Sequence, residues 1–207
     1  DEVLRKLQFV DFEELREAFE AYQKTKTLTQ IGNVLDQLVW ERLLRFASLI
    51  PEEGALIKEF LLMGIEVENV KSILRLKRED VSPETIREVV AFHRYTHKLT
   101  REQLESMIEA RTLKDVFTLL AQTYYGKTFE QQLSGMAEQK SLIGLELALD
   151  SYMLHKAIRF IHRHPMSVDV ILGFLFAKEI EVKNLLAIIK GKQLRVDEAF
   201  IEKALVV

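Results

Sequence analysis

Two histidines, His93 and His97, have the four-residue spacing that places a pair of imidazoles on one face of a helix, as in zinc hydrolases. The residue after the first histidine is Arg94, whereas the zinc-hydrolase pattern has a glutamate there to act as general base. No third ligand is evident in the sequence. We therefore expect no metal site, and a metal-dependent hydrolase is the weakest of three functional interpretations.

Nucleotide and thiol chemistry are also not indicated. The sequence has neither a GxxxxGK[ST] loop nor a GxGxxG loop, the glycine-rich patterns whose backbone N–H groups hold phosphates. It has no cysteine, which excludes disulfide bonds, thiol catalysis and cysteine-based zinc sites. The sequence thus predicts a protein with no catalytic residues and no bound cofactor.

A glutamate and an asparagine recur together in two similar segments. Glu66-Val-Glu-Asn69-Val-Lys-Ser-Ile-Leu-Arg75 matches Glu181-Val-Lys-Asn184-Leu-Leu-Ala-Ile-Ile-Lys190 at a separation of 115 residues. Asparagine inside a helix costs up to about 0.7 kcal/mol relative to alanine, so its recurrence indicates a tertiary role. We expect each amide to bind neighbouring backbone, with the glutamate three residues earlier on the same helix face.

A second matching pair extends this similarity into an internal repeat. Asp36-Gln-Leu-Val-Trp-Glu-Arg-Leu-Leu-Arg45-Phe46 resembles Asp150-Ser-Tyr-Met-Leu-His-Lys-Ala-Ile-Arg159-Phe160 at a separation of 114 residues. A period of this length is too long for a short-repeat solenoid and indicates a small helical bundle in each copy. The sequence predicts two related bundles with a repeat of about 115 residues, in units 1–91 and 92–207.

Composition and periodicity both favour an all-α fold. Glycine (8) and proline (3) are scarce in 207 residues, and these are the residues that tight turns require. Apolar residues at three- and four-residue steps between Leu35 and Ile50 predict a helix, and Thr100 with Gln103 and Ser82 with Pro83 predict helix starts. Thr128 with Gln131 and Asp11 with Glu14 have the same cap spacing as Thr100 with Gln103. The apolar run 170–177 is too short for a membrane span and predicts buried core.

Charge is unevenly distributed along the chain. The net charge is -3, which disfavours nucleic acid as the main partner. Residues 1–90 carry 13 basic and 18 acidic side chains, whereas residues 91–207 carry 16 and 14, so the two halves present different surfaces. A basic cluster follows each repeated helix. It is either a solvated helix end or a contact for acidic loops or anionic lipid headgroups, and the first interpretation is favoured.

The repeated pattern Glu-x-x-Asn-x-x-x-Ile-(Leu/Ile)-(Arg/Lys)-x-Lys resembles the C subunit of archaeal-type and vacuolar-type rotary ATPases, called the d subunit in eukaryotic vacuolar enzymes. The resemblance extends over nearly the whole chain. It is supported by Leu113-Lys-Asp-Val116, by Thr123-Tyr124-Tyr125 and by the short Val206-Val207 end. The candidate repeat and interface residues are Glu66, Asn69, Arg75, Lys77, Glu181, Asn184, Lys190 and Lys192.

The resemblance implies a non-catalytic subunit of the central stalk. Members are described as funnels of three related helical bundles, on the cytoplasmic face of the membrane, that join the rotor shaft to the proteolipid ring. This chain would then support H⁺ or Na⁺ transport coupled to ATP synthesis or hydrolysis, contact the membrane only through the ring, and lack the amino-terminal repeat. The alternative is a free-standing helical-repeat adaptor that binds a partner helix or peptide. For a coupling subunit we expect the ends of the repeated helices, including Glu66, Arg75, Glu181 and Lys190, to border one concave surface.

Overall fold

A computed structural model describes residues 12–26, 28–90, 97–129, 142–163 and 167–206. Within these ranges every regular element is helical and no β-strand is present, which confirms the all-α prediction. The helices are α1 (Phe12–Thr25), α2 (Thr29–Leu49), α3 (Gly54–Arg78), α4 (Pro83–Val89), α5 (Arg101–Glu109), α6 (Leu113–Ala121), α7 (Tyr124–Thr128), α8 (Ile143–Arg163), α9 (Val168–Gln193) and α10 (Glu198–Lys203).

Side-chain caps define where several helices start. Ser82 accepts a hydrogen bond from the Thr85 N–H, with Pro83 in the first turn of α4. Thr100 and Gln103 form the predicted capping box of α5. The cap pairs of Thr128 with Gln131 and of Asp11 with Glu14 stay predictions, because Gln131 and Asp11 lie outside the described residues; Thr128 is the last residue of α7.

Helix α3 lies at the centre of the fold, because buried residues occur along most of its length. Its apolar side chains, from Phe60 to Leu74, join one hydrophobic core with α4 to α8. This core includes residues on both sides of the predicted boundary between units 1–91 and 92–207. The division into those two units therefore stays a prediction. Helices α5 and α6, which belong to the second predicted unit, pack against α3 of the first.

The helices of the two predicted units begin and end at matching positions. Helices α2 (Thr29–Leu49) and α8 (Ile143–Arg163) each have 21 residues and are separated by 114 positions at both ends. Helices α3 and α9 start 114 positions apart and end 115 apart, and α4 and α10 start 115 apart. We propose on this basis that the chain arose by internal duplication.

The carboxyl ends of α3 and α9 also share one backbone geometry. Asp80 (φ 55°) and Arg195 (φ 56°) both adopt the left-handed conformation, 115 positions apart. The next N–H bonds back to the carbonyl five residues earlier in each case, Val81 to Leu76 at 3.0 Å and Val196 to Gly191 at 2.9 Å. This is the Schellman arrangement that ends many helices, usually with glycine at the left-handed position.

One expectation about burial is wrong. The apolar run 170–177 is not a buried core segment, because Phe174 and Leu175 are more than half exposed. The periodicity between Leu35 and Ile50 does correspond to a helix, α2, on which Val39, Leu43 and Phe46 are exposed and Leu44 and Ala47 are buried. Among the described residues, no helix is both long enough and apolar enough to cross a membrane.

Replacing either left-handed residue by glycine is expected to stabilise the protein. The left-handed conformation costs a non-glycine residue roughly 1–2 kcal/mol, while glycine adds a smaller entropy cost to folding. We expect Asp80→Gly and Arg195→Gly each to raise the free energy of unfolding by about 0.5–1 kcal/mol in urea titrations. The control is Glu79→Gly, at φ -86°, which should lower stability. A loss of stability in both Asp80→Gly and Arg195→Gly would contradict this account.

Candidate functional site

The carboxylate of Glu66 binds three consecutive backbone N–H groups. Its Oε1 accepts from the N–H of His97 at 2.6 Å, of Lys98 at 2.8 Å and of Leu99 at 3.0 Å, and its Oε2 accepts a second, 3.0 Å bond from Lys98. Glu66 is only 4% exposed. A buried carboxylate is tolerated only when such hydrogen bonds replace its water. Glu66 therefore fastens α3 to the segment that leads into α5.

The phenol of Tyr125, on α7, donates a further bond to Glu66, at 3.2 Å between Oη and Oε2. Burial raises the pKa of Tyr125 well above its ordinary value, and the nearby Glu66 charge raises it further, so the phenol remains a donor. Its ring packs edge-on against Tyr124 and Tyr152 and stacks parallel to Phe129. The carboxylate thus joins α3, the 97–99 segment and α7.

Local sequence explains why the 97–99 segment presents its N–H groups. Leu99 is buried beside α3, and Thr100 is the extended N-cap of α5. Residues 97–99 precede the first residue of α5, so their N–H groups take no part in its helical hydrogen bonds. Consecutive N–H groups in such a segment suit an anionic group, here the chain's own carboxylate.

The amide of Asn184 makes a reciprocal pair with the backbone of Val206. Its Nδ2 donates to the Val206 carbonyl at 2.8 Å, and the Val206 N–H donates to its Oδ1 at 2.9 Å. This geometry ties α9 to the segment after α10, as the sequence predicted for this residue. Asn69 is buried on α3, and the residue 22 positions further on, Ala91, lies outside the described residues.

Two of the predicted basic residues hold helices of the same chain together. Arg75 makes a two-fold bond to Glu146 of α8, from Nε at 2.7 Å and from Nη2 at 2.8 Å, and this bond raises the pKa of the guanidinium. Lys77 donates to the carbonyl of Ala110, which ends α5, at 2.7 Å. These side chains therefore orient α5 and α8 against α3.

The sequence analysis missed one buried charge. Lys71 is 2% exposed and forms ion pairs with Asp150 of α8 and with Glu68, the latter at 3.2 Å. Its counterpart in the repeat is Leu186, so the two copies share no charged residue at this position. A lysine in one copy where the other has a leucine was the only sequence signal for this buried charge.

In the second unit the predicted residues lie mostly at the surface. Glu181 has a side chain that is 56% exposed and pairs with Lys178, one turn earlier on α9. Lys192 pairs with Glu198 of α10, and Lys190 is exposed. The structure thus separates the eight residues into a mainly internal set on α3 and a mainly exposed set on α9. The concave interface that we expected them to border stays a prediction.

Histidine chemistry has little geometric support. His97 contributes its backbone N–H to Glu66, and partial burial lowers the pKa of its imidazole. His93 lies outside the described residues. In the described part of the chain, no group of three or more histidine, aspartate or glutamate side chains is arranged to hold a metal ion.

The contribution of Glu66 to stability can be compared with that of Glu181, its counterpart in the repeat. Glutamine keeps the shape but replaces one acceptor oxygen by a donor facing Lys98 and Tyr125. We expect Glu66→Gln to lower the free energy of unfolding by about 2–3 kcal/mol, because bonds to a buried charged acceptor are lost. Glu181→Gln is the matched control and should change stability by less than about 0.5 kcal/mol. Equal effects in urea titrations would contradict the different roles of the two glutamates.

The Asn184 pair gives a prediction for two variants. Leucine removes both hydrogen bonds and leaves the backbone of Val206 unsatisfied, so Asn184→Leu should cost about 1–3 kcal/mol. Asn184→Asp keeps the acceptor for the Val206 N–H but replaces the donor by an oxygen that repels the Val206 carbonyl, so it should also lose stability in thermal unfolding. A neutral Asn184→Leu variant would show that the pair adds nothing to stability.

Comparison with known proteins identifies the relatives of this chain. The family model described as ATP synthase (C/AC39) subunit matches residues 2–204. The C subunit of the A-type ATP synthase of Methanocaldococcus jannaschii is 32% identical over 193 residues, which is 93% of this chain and 48% of that protein. The corresponding C subunit of Halorubrum lacusprofundi is 32% identical over 196 residues, covering 93% of this chain and 54% of that protein.

The chain spans about half the length of the curated relatives that it matches. No solved structure shows a significant match. The family model nevertheless covers almost all of the sequence, including Glu66 and Asn184. The resemblance predicted from the repeated Glu-x-x-Asn pattern is confirmed: this chain belongs to the ATP synthase (C/AC39) subunit family.

Proposed function

We propose that this chain is a non-catalytic part of the central stalk of an A/V-type rotary ATPase. It links the rotor shaft to the proteolipid ring on the cytoplasmic face of the membrane and contacts the membrane only through the ring. In that position it supports H⁺ or Na⁺ transport coupled to ATP synthesis or hydrolysis. The observation that carries the proposal is the family match over residues 2–204, together with relatives that are C subunits of A-type ATP synthases.

The contacts of the described polar side chains support a mechanical role. Glu66, Arg75 and Lys77 are engaged in bonds between helices of the chain itself, and Lys71 connects α3 to α8. These bonds fix the relative positions of long helices. A subunit that transmits rotation needs such fixed joints more than it needs reactive groups.

The exposed charges of α9 are the best candidates for contact with the stalk. Glu181 and Lys190 are both exposed, and since they are nine positions, or about two and a half turns, apart they project from opposite sides of α9. Exposed charges at the rim of an interface add little affinity, but they steer association and set register. Glu66 is unsuitable for contact with a stalk partner because its charge is buried and bonded to residues 97–99.

The proposal is tested by binding to separate stalk components. The chain is immobilised, and the rotor-shaft subunits and detergent-solubilised proteolipid ring of the M. jannaschii A-type ATP synthase are added in turn. We expect measurable affinity for at least one of them, and we expect Glu181→Lys to change the association rate several-fold at low salt but little at high salt. Glu20→Lys, an exposed reversal on α1, is the matched control.

Binding to neither component would overturn the stalk proposal and would favour the free-standing adaptor. Binding that is unaffected by Glu181→Lys would keep the stalk assignment and place its contact away from this part of α9. A salt-independent loss would instead indicate that the reversal disturbs the fold, which the circular dichroism of the variant would show directly.

A further inference from the structure

Two tyrosines and two lysines from three parts of the chain meet at one surface. Tyr124 on α7 and Tyr152 on α8 have their hydroxyl oxygens 3.4 Å apart. The Nζ of Lys98 lies 5.3 Å from the centre of the Tyr124 ring, and the Nζ of Lys156, on α8, lies 5.4 Å from the centre of the Tyr152 ring. Both distances are typical of cation–π contacts. We call these four residues the tyrosine–lysine cluster.

The Glu66 carboxylate fixes the base of the tyrosine–lysine cluster. Lys98 donates its backbone N–H to both oxygens of Glu66. Tyr125 also donates to Glu66, and its buried ring packs edge-on against both phenols of the cluster. Above this base, the Lys98 side chain is exposed and Tyr124 is 40% exposed. The cluster therefore presents polar groups to solvent in a defined arrangement.

One phenol O–H of the cluster has no acceptor in the described part of the chain. A hydrogen bond between two hydroxyl groups uses one proton, and beyond their mutual bond neither Tyr124 nor Tyr152 bonds through its hydroxyl to another described group. The hydroxyl of Thr128, one turn further along α7, donates to the Tyr124 carbonyl instead. Because Tyr124 is the more exposed phenol, its O–H is the donor that can reach another molecule.

The two lysines of the cluster carry charges without a counterion. Among the described residues, neither Lys98 nor Lys156 forms an ion pair. The hydrogen bond with Tyr152 lowers the pKa of the Tyr124 phenol. Both lysine charges lower it further, so both lie close enough to this hydroxyl to act on it. The unbonded O–H thus lies in a positive field that favours an anionic acceptor.

The other ionisable groups nearby leave this surface positive. Burial raises the pKa of the Tyr152 phenol, and the exposed charges of Arg159 and Glu59 modify it in opposite directions. The charge of Glu66 is buried and bonded to backbone N–H groups. Burial lowers the pKa of the His97 imidazole, which keeps it mostly neutral near pH 7. Both lysines and the arginine therefore outweigh the one exposed carboxylate that acts on these phenols.

We propose that the tyrosine–lysine cluster binds a carboxylate of an acidic segment on a protein partner. The carboxylate accepts the unbonded O–H of Tyr124 and faces the ammonium groups of Lys98 and Lys156. A charged acceptor makes the stronger hydrogen bond, and tyrosine is enriched where proteins contact each other. This surface is formed by α7, α8 and the 97–99 segment, so the inference does not depend on the proposed contact at α9 or on the stalk function.

Two other anions fit this surface less well. Phosphate sites are commonly built from unbonded backbone N–H groups, whereas those of residues 97–99 are already bonded to Glu66. Segments that bind anionic lipid carry about 4–8 basic residues, and this surface has Lys98, Lys156 and Arg159. Exposed tyrosine and lysine side chains from separate elements suit the broad surface of a protein.

The test uses a synthetic acidic peptide as the probe. Acetyl-hexaglutamate amide is titrated into the isotope-labelled chain, with acetyl-hexaglutamine amide as the neutral counterpart. We expect the acidic peptide alone to shift the NMR resonances of the Lys98 and Tyr124 backbone amides. The affinity should fall as the ionic strength rises from about 0.01 M to about 0.15 M, because exposed charges are then screened.

Variants separate the cluster from the general charge of the protein. Lys98→Gln combined with Lys156→Gln should weaken peptide binding roughly 5- to 20-fold, and Tyr124→Phe, which keeps both charges, roughly 3- to 10-fold. The matched control combines Lys114→Gln on α6 with Lys203→Gln on α10, both exposed, and removes the same charge. It should bind more nearly like the unaltered chain. Circular dichroism of each variant verifies its fold, and Tyr124→Phe stays informative if the double lysine variant is unstable.

Four outcomes would overturn the proposal. The first is an acidic peptide that shifts neither amide, and the second is equal weakening by the cluster and control double variants, which would indicate attraction to net charge alone. The third is a Tyr124→Phe variant with unchanged affinity. The fourth is tighter binding of inorganic phosphate or of phosphatidylserine vesicles at the same ionic strength, lost in the cluster variant, which would assign the surface to a different anion.

Discussion

The structure depends on the hydrogen bonds that the backbone N–H groups of residues 97–99 donate to the Glu66 carboxylate. Each side of this contact would be costly alone, because a buried charge without hydrogen bonds and a buried N–H without an acceptor both lose their water. Together they satisfy each other. The bonds also hold Leu99 against α3 and place the cap of α5 beside it. Helices α5 to α7 can then cover the long helix that carries Glu66.

The same residue type has a different environment in the second unit, although the surrounding sequence is similar. Glu181 lies on the surface of α9 and pairs with Lys178, whereas Glu66 is buried. Apolar neighbours differ in the same way, since Val182 is exposed and Val67 is buried. An amphipathic pattern records which side chains favour burial. Whether they are buried depends on a covering element, and that element comes from elsewhere in the chain or from another molecule.

This distinction sets how much of the fold could be predicted from sequence. The helical class, the caps at Ser82 and Thr100 and the backbone role of Asn184 follow from local chemistry, and all were predicted. The partners of Glu66 lie 31 to 33 positions away and could not be read from a local pattern. The predicted core assignment of residues 170–177 is wrong for the same reason. Their apolar character was evident from the sequence, but it could not show that side chains such as Phe174 and Leu175 lack a cover among the described helices.

Ion pairs between α3 and α8 add a constraint that hydrophobic packing alone would not supply. Lys71 and Arg75 are one turn apart on α3, and their partners Asp150 and Glu146 are one turn apart on α8 in the reverse order. Two such pairs fit only one register of two antiparallel helices. Shifting either helix by one turn would allow only one such pair, Lys71 with Glu146 or Arg75 with Asp150, and would leave the other cation opposite a leucine, which is strongly unfavourable for the buried Lys71.

Apolar side chains tolerate small rearrangements more readily than buried charges do. The ion pairs therefore define a single position of α8 on α3, whereas the apolar side chains around them supply most of the adhesion. On α9 the position equivalent to Lys71 is Leu186, which is 48% exposed, so α9 lacks the buried charge that fixes the register of α8 on α3. The two similar helices thus differ at a position that makes the pairing of α3 with α8 specific.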